Sequence, residues 1–229
     1  MRRLDVTLRW LGAIGITLAP LGLFVLPGLL NPEPYETAEE QFTAFAEGVN
    51  GVYPAQMLQL FGSICLMVSA LGIGGITIAR RRGRTLGVIG LATGVIGAIA
   101  LLLVIGFELA MLTVLMSGTD TQATVAQVIE IFAQPSFGIP LMVGLVGFFV
   151  TLPLLALALW RSRIVPLVVP LLFVLPVVVG FVPLPIDATV AGGVALLVPC
   201  VWMSAQLIRG VVTKAGPDTA VVAAASAGR

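Results

Sequence analysis

Polar side chains interrupt this chain seldom and at regular intervals, leaving six apolar stretches at 10–30, 55–79, 86–116, 137–160, 164–182 and 188–208. Each reaches the roughly 17 residues at which a helix, rising 1.5 Å per residue, begins to span a hydrocarbon core. The pattern predicts an all-α membrane protein: a bundle of six transmembrane helices arranged as three outward-opening hairpins. These spans form a single polytopic domain over 1–209, and the small-residue tail at 210–229 is expected to be flexible and cytoplasmic. The first run is longer than the apolar part of a signal peptide. Asn31-Pro32-Glu33-Pro34 follows it without a small-x-small cleavage site, so it is read as a retained helix.

Two spans depart from the simple picture. The third would be about 46 Å long at helical rise, so it must tilt or protrude. The fifth has no polar side chain but carries Pro166, Pro170 and Pro176. Each proline removes a backbone donor and crowds the preceding turn, which predicts a kinked or irregular inner half.

Two outer connections carry helical signals of their own. In the first, Thr37 and Glu40 have capping-box spacing, and Phe42, Phe45, Ala46 and Val49 recur on one helical face before Asn50-Gly51 stops it. This amphipathic segment is expected to lie flat in the interface rather than to cap the bundle. In the second, Val125, Ala126, Ile129 and Phe132 trace a similar face. The two segments end in Phe45-Ala46-Glu47-Gly48 and Phe132-Ala133-Gln134-Pro135, a likeness too short to establish a duplicated hairpin.

Charge orients the helices. Only 10% of residues are charged and 59% are hydrophobic, against the roughly 25% charged usual in soluble domains. All twelve Lys and Arg residues fall on one side of the six-span map, and eight of the eleven acids fall on the other. Arg80, Arg81, Arg82 and Arg84 between spans two and three, with Arg161 and Arg163 after span four, are the strongest topology determinants. Loops rich in Arg stay in the cytoplasm, so both termini are expected inside, in a cytoplasmic membrane. Trp160 fits an interfacial anchor. Eleven of the twelve basic residues are Arg, which associates the chain with a GC-rich bacterial genome.

There is no His, so the commonest general base and metal ligand is missing. No metal and no cofactor is expected. Cys65 and Cys200 lie inside apolar spans without a C-x-x-C and read as small buried hydrophobes. No zinc-protease, nucleophile-elbow, P-loop or dinucleotide fingerprint is present, and no Asp-rich motif would hold magnesium.

Two features remain. Gly83, Gly87, Gly90, Gly94 and Gly97 step by fours and threes along the third span, a bare stripe that lets backbones approach closely. That helix is expected to be the central and most buried one. Glu108 is the one ionisable residue well inside a span. Such an acid faces a bundle interior or a wet cavity, and Gln56, Gln59, Ser63 and Thr113 are its candidate neutral partners. It is either interhelical glue or a proton site.

The favoured function is therefore a non-enzymatic, partner-binding or accessory helical bundle. A small proton-coupled permease using Glu108 is the alternative and a membrane enzyme the third reading. Expected partners are the lipid bilayer and a membrane protein or second copy, and no nucleic acid.

Overall fold

The computed structural model describes residues 2–30, 37, 39–40, 42–43, 52–80, 82–117, 121–180 and 188–215. Among these the chain is all helix and turn. The first rod consists of α1 (Arg2–Pro20), a π-helical turn (Leu21–Val25) and α2 (Leu26–Leu30). There follow α3 (Val52–Ala79), α4 (Arg84–Ser117), α5 (Thr121–Phe132) and α6 (Pro135–Arg161). Beyond α6 come the short α7 (Val168–Leu171), a 3-10 turn (Leu172–Val174), α8 (Leu175–Gly180) and finally α9 (Ala188–Ala215). Among the described residues five helices are long and apolar enough to cross a membrane, the first rod, α3, α4, α6 and α9, as befits a multi-pass integral membrane protein.

The segment predicted as span five is not one helix. Its described part breaks into α7, the 3-10 turn and α8. Pro170 and Pro176 lie inside this stretch and Pro166 just before it, and each withholds an amide that a continuous helix would use. The π turn in the first rod has a similar origin. Pro27 cannot donate to the carbonyl one α-turn back, and the ladder ahead of it widens so that the Leu26 N–H reaches the Leu21 carbonyl.

The long helices pack as antiparallel neighbours in the order α9, α1, α3, α4, α6. Glycine sets how closely they approach, because without a hydrophobic drive in lipid, close backbone contact supplies the dispersion that holds helices together. Between α1 and α3, a Cβ on Gly15 would lie 2.7 Å from the Cys65 carbonyl oxygen, and one on Gly22 would lie 2.8 Å from that of Leu58. Gly72 faces Gly12 in the same seam. Between α4 and α6 the tightest point is Gly97 against Gly147.

The third predicted span is not the most buried helix. In α3, 61% of the membrane-length window is buried, against 44% in α4. The reason is that α3 packs against the whole first rod, α1, the π turn and α2, on one side and α4 on the other and touches α6 as well, whereas α4 has α3 and α6 as its long neighbours. The α1–α3 seam is also as glycine-lined as the face of α4. The stripe on α4 also serves two partners: Gly87 meets Thr77 of α3, Gly90 meets Leu155 of α6, and Gly94 meets both Ala70 and Thr151.

A main core of Ile16, Leu66, Ile73, Phe148, Leu155 and Met203 joins all five long helices together with α4's Leu101. A second, smaller core holds Phe42, Val52, Leu112, Leu115, Val125 and Val128. Here α5 buries Val125 and Val128 and half-buries Ile129 and Phe132, whereas Ala126, assigned to that face from the sequence, is exposed. Phe42 is also buried, its ring 4.9 Å from that of Phe132. That contact packs Phe42 against α5; Phe45, Ala46 and Val49, on which the lie of the whole segment depends, are outside the described residues. Of the capping box, the Glu40 N–H donates to Thr37 Oγ1 at 3.1 Å. The helix α9 continues past Arg209 to Ala215, and the rest of the tail lies outside the described residues.

The seam predicts a contrast between two glycines. Gly15→Ala should lower the melting temperature in detergent, since the added methyl meets α3 backbone. Gly106→Ala, which meets nothing within 4 Å, should leave it unchanged or raise it, with an Ala-for-Gly gain of about 0.5–1 kcal/mol.

Candidate functional site

Glu108 stands half-buried in the C-terminal part of α4, one position after Phe107, whose ring lies 6.0 Å from Phe132 and 5.7 Å from Phe137. Of the four neutral side chains suggested as partners, the structure brings the Gln56 side chain beside it across the α3–α4 interface. Gln56 Oε1 is buried and has no partner among the described residues. An amide offers two donors and one acceptor oxygen, so a bond made through its nitrogen leaves that oxygen idle.

Two of the other candidates, Ser63 and Thr113, spend their hydroxyls at home. Ser63 Oγ donates to the Gln59 carbonyl at 2.9 Å, and Thr113 Oγ1 donates to the Leu109 carbonyl at 3.0 Å. These are one-turn bonds within a helix, a common way for a hydroxyl to be satisfied in an apolar surround. Cys65 and Cys200 are both buried and unpaired.

The opposite end of the bundle is where the basic residues collect. Arg9 is 3% exposed, too little for a flanking charge, and it is held on two sides. Its Nε lies 3.2 Å from Asp5 Oδ2 one turn earlier, and Nη1 donates to the Leu207 carbonyl of α9 at 3.4 Å. Gly210 leaves room for the guanidinium, which occupies the place a Cβ would take. The start of the first rod is thereby fixed to the end of α9. The Asp5/Arg9 spacing of four residues was visible in the sequence; the acceptor on α9 was not.

A second knot joins α3, α4 and α6. Arg80 Nη1 donates to the Ser162 carbonyl at 3.1 Å, and Ser162 Oγ donates back to the Arg82 carbonyl at 2.7 Å. Burial and the nearby Arg9 charge push the Arg80 guanidinium below its ordinary value, and Asp5 works in the other direction. Gly83 makes the turn into α4 with φ of +85°, where a Cβ would also strike the Ala158 carbonyl at 2.6 Å. Arg82, Arg84, Arg161 and Arg163 remain exposed around this knot, and Arg81 lies outside the described residues.

One further polar bridge went unnoticed in the sequence. Thr151 Oγ1 of α6 donates to Thr93 Oγ1 of α4 at 3.0 Å, and Thr93 passes its own proton to the Ile89 carbonyl at 3.0 Å. Threonines are ordinary in such spans, and only the register of two helices sets these two opposite each other. Chemically, these arrangements position helices; Glu108 with Gln56 could in addition exchange a proton.

Removing the hydroxyl in Ser162→Ala should cost about 1 kcal/mol by freeing the Arg82 turn, read as a drop in melting temperature. Gly83→Ala should cost more, since a positive φ alone disfavours a side chain by about 1–2 kcal/mol. No family model, curated protein or solved structure matches the chain.

Proposed function

We propose that this chain is a non-enzymatic integral protein of the cytoplasmic membrane of a bacterium, a six-span bundle with both termini in the cytoplasm that serves as a partner-binding or accessory component. The observation that carries the reading is the use made of its polar groups. Arg9, Arg80, Ser162 and the Thr93–Thr151 pair all tie one helix to another, and Glu108 faces Gln56 on the neighbouring helix. Polar groups spent on interhelical bonds are characteristic of packing in lipid.

The topology rests on the antiparallel order. Residues at the start of the first rod and the end of α9 meet at one end, and Gly28 meets Val190 at the other. Arg161, at the end of α6, belongs to the first of these ends. The stretch between α6 and α9 must then return the chain to the other end, which supports reading 164–182 as a sixth, broken crossing. The positive-inside rule assigns the arginine end to the cytoplasm.

A second reading keeps one specific observation in its favour. The idle Gln56 Oε1 beside Glu108 is the acceptor that a protonated carboxyl would use, as a proton-coupled permease requires.

Two measurements test these readings. In proteoliposomes carrying a pH gradient, Glu108→Gln should leave proton flux at the wild-type level and move only the melting temperature. A wild-type flux abolished by that substitution at unchanged stability would replace the accessory reading with the permease. For topology, an Arg84→Cys chain in intact cells should resist a membrane-impermeant maleimide and react after the membrane is opened. The buried Cys65 and Cys200 keep the background low. Labelling before opening would reverse the assigned orientation.

A further inference from the structure

Three arginines of the basic end surround a pocket of about 380 Å³, lined by Arg82, Trp160, Arg161 and Arg163. Its lining holds no carboxylate among the described residues. Among the described residues the one acid at this end of the bundle, Asp5, is paired with Arg9 instead.

The walls are held in place before anything binds. Ser162 Oγ fastens the Arg82 turn to the end of α6, and Arg80 fastens Ser162 in turn. Helix α6 then closes with a paired set of bonds: the Arg163 N–H donates to the Trp160 carbonyl at 2.8 Å, and the Ile164 N–H donates to the Leu159 carbonyl at 2.9 Å. That pairing places residue 163 in the left-handed region, a position usually given to glycine. Here it is Arg163, with φ of +58°. A non-glycine residue is strained in that region, and strain of this kind gathers at binding sites, where the side chain has a use.

We infer that this pocket binds an anionic phosphate group, with the phosphate of an acidic lipid headgroup as its source and free phosphate as the competing one. Guanidinium forks match phosphate oxygens, and basic pockets between membrane helices on the cytoplasmic side take such headgroups. Trp160 lines the same pocket, half-buried, and an indole is at home in a headgroup layer. The inference rests on the arginine end facing the headgroup layer and is independent of the role of Glu108.

The test uses the full chain purified in a neutral detergent and titrated with dioleoylphosphatidylglycerol, dioleoylphosphatidylcholine or inorganic phosphate. Native mass spectrometry reads the adducts, and a Trp10→Phe, Trp202→Phe chain reports through Trp160 fluorescence. One phosphatidylglycerol should be retained in preference to phosphatidylcholine, whose quaternary ammonium opposes the three guanidiniums. Arg163→Gly should weaken that binding about tenfold while raising the melting temperature, because the strain is relieved as the charge is lost. A purely structural Arg163 would give the second effect without the first. Displacement of the lipid by inorganic phosphate at equal concentration supports the same phosphate chemistry with a soluble source. Equal retention of the two lipids, or unchanged binding by Arg163→Gly, overturns the site.

Discussion

Close backbone contact between helices is the constraint on which the rest of this structure depends. In lipid the apolar side chains gain little by leaving one greasy surround for another, so cohesion comes from dispersion at short range and from satisfied polar groups. Gly12, Gly15, Gly22, Gly62 and Gly72 bring α1 and α3 together, and Gly97 and Gly147 do the same for α4 and α6. With the backbones that close, a threonine hydroxyl or an arginine fork can reach across to the next helix. The polar bridges are therefore consequences of the glycine seams as much as additions to them.

The basic end shows the same economy. A segment that needs arginine for orientation also needs its helix ends closed, and the two demands meet in the same residues. Arg80 and Ser162 exchange bonds with the neighbouring turn, Arg9 closes on α9, and Gly83 lets the α3–α4 turn sit against α6. Three arginines of this end, with Arg163 held at a strained positive φ, line a pocket that such charge suits to an anion. At the other end the aromatic rings of Phe42, Phe107, Phe132 and Phe137 form a contiguous cluster near Glu108. The protein is thus built with an arginine end and an aromatic end, joined by a glycine-lined middle.

The sequence by itself determined the membrane class, the approximate limits of five long helices, the irregularity of the proline-rich segment and the gathering of basic residues. Each of these follows from a property summed along the chain: hydropathy over some twenty positions, a missing amide at a proline, or the placement of Arg between spans. What only the tertiary structure decided is which surfaces meet. The α4 glycine stripe was legible, but its two partners were not, and the equally glycine-lined α1–α3 seam makes α3 the most buried helix. Val128 rather than Ala126 faces the small core with Val125, Ile129 and Phe132, as the i, i+3, i+4, i+7 spacing already requires; what the spacing leaves open is that this face packs on Leu112 and Leu115 of α4. Arg9, Ser162 and the Thr93–Thr151 pair look like unremarkable flanking or span residues until α9, the α4 turn and α6 come alongside. Periodicity fixes one helix's faces; register between helices depends on contacts far apart in the chain, and one-dimensional pattern carries no term for those.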